Sequence, residues 1–211
     1  MIWVLTGFMG CGKTSIGRLA ASLSAGLEFI DLDEEIVRRE GRSIPDIFSA
    51  DGETVFRSIE RRTLADLLHA AGVPPEGRNT RGSIAGGPSR REGGVSEANS
   101  RRGNAPLQSS ILISLGGGTL TDAESRKLVR ENCKCIYLRA SLETLAENLR
   151  EAGTEGRPML KLAPGESLED RIRNLMAERR EVYESCADFI IDIDRLDYPA
   201  IARQILNSFG Q

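Results

Sequence analysis

Hydrophobic positions along this chain follow two periods. Short apolar runs rich in β-branched residues occupy Ile2–Thr6, Leu27–Ile30, Ser110–Leu115, Cys135–Leu138 and Phe189–Ile193, and amphipathic stretches lie between or after them. Runs of that length predict strands, and their alternation with helical patterns predicts an α/β fold in which helices cover both faces of a parallel sheet. The first helix is expected to open at Lys13 and to turn Ile16, Leu19, Ala20 and Leu23 towards the core. A long one is expected from near Gly52, where Val55, Ile59, Leu64, Leu67 and Leu68 keep helical spacing.

The pattern lapses between Pro74 and Gln108, where Gly, Ser, Asn, Pro and Arg dominate. Such a stretch buries too little apolar surface to offset its ordering entropy, so residues 74–108 read as a disordered or mobile insertion. A basic docking arm is the other reading, because Arg78, Arg81, Arg90, Arg91, Arg101 and Arg102 fall within it.

A chain of 211 residues with 40% hydrophobic positions builds one substantial core, so residues 1–211 are expected to form a single domain. A net charge of −3 gives no uniform basic excess to displace counterions from a phosphate backbone, which argues against a dedicated nucleic-acid binder. The four cysteines and single histidine make no zinc pattern and read as ordinary reduced thiols. Met1 to Leu5 is apolar without a basic stretch before it and is expected to be a buried strand, neither signal nor transit peptide. No run approaches the length needed to span a bilayer, so a cytoplasmic protein is expected, and no long apolar face calls for a partner, so a monomer is.

Gly7-Phe8-Met9-Gly10-Cys11-Gly12-Lys13-Thr14 fits G-x-x-x-x-G-K-[ST] between a predicted strand and a predicted helix. Successive backbone N–H groups and a helix N-terminus form a concavity for phosphate. Gly10, Cys11, Gly12, Lys13, Thr14 and Ser15 are the candidate nucleotide contacts, with the Lys13 charge on the β- and γ-phosphates and the Thr14 hydroxyl as a Mg²⁺ ligand. A phosphate loop alone leaves ATPases, GTPases, kinases and silent nucleotide sensors open.

Asp31 and Asp33 follow the second strand, where the ligand crevice of an open α/β sheet lies. On an extended segment they share one side of the chain, Asp31 suited to Mg²⁺ through water and Asp33 to an acceptor hydroxyl; capping of the next helix is the alternative for either. Arg57 and Glu60 stand one helical turn apart, and Arg57 offers a planar fork for a carboxylate. Gly116, Gly117 and Gly118 close the third strand and allow a ligand close to the backbone. That strand lacks the usual terminal Asp, which leaves the metal role to Asp31. The Gly/Pro-rich segment 151–166 reads as a lid that excludes water and brings Arg157 to the moving phosphoryl group. Arg173, Arg179 and Arg180 share the helix after it.

Taken together, these residues resemble the shikimate kinase family, related to the nucleoside monophosphate kinases. The resemblance rests on the phosphate loop, Asp31-x-Asp33, the run from Gly41 to Phe48, Phe56-Arg57-x-x-Glu60, Gly116-Gly117-Gly118 and Arg157-Pro158, in that order. It implies a three-layer P-loop NTPase fold with a five-stranded parallel sheet, a mobile lid, and transfer of the ATP γ-phosphoryl group to the 3-hydroxyl of shikimate with Mg²⁺. It further implies that Asp33, Arg57, Gly117 and Arg179 hold shikimate, that Asp33 is the base, that Lys13 and Arg157 stabilise the moving group, and that Arg150 lies along the adenine. A related small-molecule kinase such as gluconate kinase, or a silent nucleotide-binding module, remains the alternative.

Overall fold

The structure, a computed structural model, describes residues 1–74 and 110–210. Five parallel strands, β1 (Ile2–Thr6), β2 (Leu27–Asp31), β3 (Ser110–Ser114), β4 (Lys134–Arg139) and β5 (Phe189–Asp192), pair in the order β2-β3-β1-β4-β5. Seven helices connect the described strands or follow them: α1 (Lys13–Leu23), α2 (Leu32–Glu40), α3 (Ile44–Ala70), α4 (Ala123–Asn132), α5 (Leu142–Ala152), α6 (Leu168–Cys186) and α7 (Tyr198–Ser208). Every strand lies within a residue or two of its predicted bounds: the three central strands β3, β1 and β4 are the most buried and read as short continuous apolar runs, while the edge strands β2 and β5 keep enough apolar positions to be placed despite the exposed Glu28 and Ile190.

Side chains of β1 alternate between two cores, as the two-residue period of a strand requires. Trp3 and Leu5 join Ile16, Ala20, Leu145, Leu149, Ile201 and Ile205 from α1, α5 and α7 on one face. Ile2 and Val4 join Ile36, Leu64, Leu68 and Val129 from α2, α3 and α4 on the other. Helix α6 contributes Ile172 and Leu175 to the first core and Tyr183 and Cys186 to the second. Burying each large aliphatic side chain in this way stabilises the fold by about 1.5–3 kcal/mol.

Two local expectations change. Leu23 is 53% exposed, because α1 packs through Ile16, Gly17 and Ala20, with Leu19 and Ala21 partly buried against the same core, and its last turn runs out with Ser22 into solvent. Helix α3 starts at Ile44, ahead of Gly52, and Gly52 is a break within it at φ 81° and ψ 172°, a conformation that needs glycine. Val55, just past that break, faces solvent. The proposed insertion falls outside the described residues except for Pro74. Its two anchors are defined: Val73 N–H closes α3 onto Leu68 O, and Ser110 N–H donates to Gly26 O in the turn that precedes β2. All four cysteines are free. No helix among the described residues is long and apolar enough to cross a membrane.

Candidate active site

Six of the seven helices begin with a side chain that accepts a backbone N–H: Asp31 for α2, Ser43 for α3, Asp122 for α4, Ser141 for α5, Ser167 for α6 and Asp197 for α7. Helix α1 is the exception, entered through Gly12 at φ 81° with no side-chain cap. Its first N–H groups are thereby left for an anion, and the aligned peptide dipoles favour one there. Lys13 folds back over the loop, its Nζ donating to Gly7 O at 2.9 Å and Phe8 O at 3.1 Å. Asn148 on α5 braces the loop from outside by donating to Gly10 O at 2.8 Å.

Asp31 ends β2 and faces two ways. Its Oδ2 accepts from the Thr14 hydroxyl at 2.6 Å, while Oδ1 accepts from Asp33 N and Glu34 N at 3.0 and 3.3 Å. This cap turns the chain into helix at once, so Asp33 stands in the first turn of α2 and the two carboxylates are not on one extended segment as expected. The Thr14 hydroxyl and Asp31 carboxylate are hard oxygen donors that fit Mg²⁺, which takes few protein ligands and completes its shell from phosphate and water. Among the described residues no group of three or more His, Cys, Asp or Glu is placed to hold a metal ion.

Opposite the loop stands a second cluster. The Arg57 guanidinium donates to Glu60 Oε2 at 2.7 Å and to Glu53 Oε1 at 3.1 Å, which fixes its plane from two sides. Glu60, 1% exposed, also accepts from the Thr119 hydroxyl. The triple glycine is a packing demand here: a Cβ on Gly116 would stand 2.6 Å from Glu60 Oε1, and one on Gly118 would stand 2.7 Å from Arg57 Cζ. Arg179 is 3% exposed, donates to Gly117 O at 3.0 Å and lies over the Phe8 ring at 5.9 Å. Arg173 and Arg180 on the same helix face solvent.

Asp33 sits between the two clusters. Burial pushes its carboxyl up, the nearby charges of Glu60 and Asp31 push it further, and Lys13 and Arg57 only partly oppose them, leaving it at about 7. A carboxyl poised there can give or take a proton near neutrality.

Both clusters open into one crevice of about 550 Å³. Gly10, Gly12, Lys13, Thr14, Ser15, Asp31, Asp33, Arg57, Gly116, Gly117, Gly118, Arg157 and Arg179 all line it. Two expected residues do not. Arg150 pairs with Glu169 on the outer side of α5. The Cys11 thiol is 1% exposed and belongs to the core beneath the loop. Segment 151–166 walls one side with Glu151, Ala152, Gly156, Arg157, Pro158 and Met159, and Arg157 Nη1 is held by Gly153 O. Sequence reasoning missed Phe48, Ser114, Asn148 and Tyr198, which also line the crevice. Phe48 closes the run from Gly41 that carries the resemblance, so that motif was the signal that could have found it; Ser114, Asn148 and Tyr198 lie outside the motifs.

A model of the shikimate kinase family matches residues 9–73 and 102–209. Curated shikimate kinases from Dictyoglomus turgidum and Stenotrophomonas maltophilia are 33% and 35% identical to the chain, covering 95% and 90% of it and 92% and 82% of their own lengths. Among solved structures, shikimate kinase from Acinetobacter baumannii in complex with shikimate is 27% identical, with TM-score 0.73, over 99% of this chain and 92% of that one. A gluconokinase from Sinorhizobium meliloti is 16% identical at TM-score 0.50, covering 99% of this chain and 90% of that one, a likeness of fold alone.

Proposed function

The chain belongs to the shikimate kinase family, and from that premise we propose that it transfers the γ-phosphoryl group of ATP to the 3-hydroxyl of shikimate. The observation that carries this reading is one crevice lined both by the phosphate loop and by Asp33, Arg57 and Arg179. A nucleotide hydrolase needs no anion-binding arginine cluster on the far side of its nucleotide; an enzyme that phosphorylates a hydroxylated carboxylate does.

The loop amides and Lys13 hold the ATP phosphates, with Lys13 leaving the Gly7 and Phe8 carbonyls to follow the charge. Arg57 and Arg179 receive the carboxylate of shikimate, which points the hydroxyl at the γ-phosphorus. Asp33 accepts a hydrogen bond from that hydroxyl and takes its proton as the bond to phosphorus forms. Little driving force is asked of the base in a loose transfer, so orientation is its larger contribution. Arg157 meets the developing charge as segment 151–166 closes and excludes water. Mg²⁺, when bound at Thr14 and Asp31, would neutralise charge on the β- and γ-phosphates.

Coupled measurement of ADP release tests the reading. Release should depend on shikimate and stay near background with gluconate. Faster turnover of gluconate would move the acceptor to the related kinase, and nucleotide binding with transfer to neither would leave only a binding module.

A further inference from the structure

Arg179 and Tyr183 lie one turn apart on α6, and both reach the carbonyl oxygen of Gly117. Arg179 Nη1 donates to it at 3.0 Å and the Tyr183 hydroxyl donates to the same atom. Both side chains are buried, at 3% and 1% exposure. A carbonyl oxygen carries two lone pairs, so this one is filled by donors from a single helix.

The peptide that bears it is planar and trans. Fixing the carbonyl therefore fixes the N–H on the opposite edge, which belongs to Gly118. Gly118 packs against the Arg57 guanidinium too closely for a Cβ. The Gly118 amide and Arg57 are thus neighbouring donors, and Arg57 is itself held by Glu53 and Glu60. Burial holds the Tyr183 phenol well above its usual value, so it stays protonated and able to donate throughout the neutral range.

We propose that Tyr183 is a positioning residue for the acceptor: through the Gly117 carbonyl it keeps the Gly118 amide in register with Arg57, so that both donors meet the acceptor's carboxylate. Arg179 alone is a long side chain that also faces Phe8 and the crevice; the stiff phenol removes the remaining freedom of the peptide. The proposal rests on the shikimate reading above.

Tyr183→Phe deletes the hydroxyl and keeps the ring, which packs on Tyr137 with centroids 5.2 Å apart. The KM for shikimate should rise about fivefold, the loss of one neutral hydrogen bond, while kcat and the KM for ATP stay within about twofold. For the analogue of shikimate with hydrogen in place of the carboxylate, which offers these donors no acceptor, the variant should carry no comparable penalty. Tyr137→Phe is the packing control, since the Tyr137 hydroxyl has no hydrogen-bond partner among the described residues, and it should leave the shikimate KM unchanged. An unchanged shikimate KM in Tyr183→Phe, or an equal penalty for the analogue without the carboxylate or for ATP, overturns the proposal. Wild-type protein inert towards shikimate would end both this and the parent reading. The wild type offers a test that depends on no variant: the Gly118 amide resonance should shift on saturation with shikimate, and one that does not move refutes the geometry.

Discussion

The carboxyl of Asp33 carries a cost that can be measured without any substrate. Folding moves it from an ordinary 3.8 to about 7, because burial and the charges of Glu60 and Asp31 outweigh the help from Lys13 and Arg57. Between those values the folded chain keeps a proton that the unfolded chain has lost, so the native state binds more protons and stability falls as pH rises. Below the lower value both states are protonated and the penalty vanishes; above the upper one both are ionised and it is complete. At about 1.4 kcal/mol for each unit, wild type gives up about 2 kcal/mol at pH 5 and about 4 kcal/mol at pH 8. Asp33→Asn is nearly isosteric and cannot ionise. Urea denaturation of the ligand-free proteins at the two pH values should show the variant gaining about 2–3 kcal/mol on wild type between them, with unchanged m-value. A difference that does not change with pH would refute the assignment of a raised, electrostatically strained carboxyl. So would a variant that loses ground as pH rises.

Two further substitutions separate packing from chemistry. Gly118 has φ −120°, which alanine adopts freely, so Gly118→Ala acts only through the Cβ driven against Arg57; the shikimate KM should rise at least about tenfold, with about 1–3 kcal/mol lost from overpacking and little change in the KM for ATP, by steady-state kinetics and denaturation. Asp31→Asn retains a carbonyl oxygen to cap α2 but loses the charge beside Thr14, so the melting temperature should hardly move while the Mg²⁺ concentration for half-maximal activity rises about tenfold in a metal titration.

The sheet was legible because β1, β3, β4 and β5 are short apolar runs and β2 is broken only by Glu28, and the phosphate loop because strand, glycines, Lys13 and helix are contiguous in the chain. Arg57 and Glu60 were legible as a pair through helical spacing, but the grip of Glu53 on the same guanidinium was not singled out, although it too is one turn away. Contacts between distant segments left no such mark. Gly117 meets Arg179 and Tyr183 across 62 and 66 residues, and Asn148 meets Gly10 across 138. Nothing local in Tyr183 distinguishes a donor at the site from one more aromatic in a core. Asp33 was placed on an extended segment because the capping power of Asp31, weighed only as an alternative to metal binding, operates beside the Thr14 contact and starts the helix two residues earlier than Asp33 suggested.

The two anchors around residues 75–109 sit where α3 ends and where β3 begins, hence at the amino ends of the parallel strands, whereas the crevice opens at their carboxyl ends. The family match passes over residues 74–101 at this same place. The joints at which this segment leaves and re-enters the sheet thus stand a full strand length away from the chemistry, and the family itself varies there.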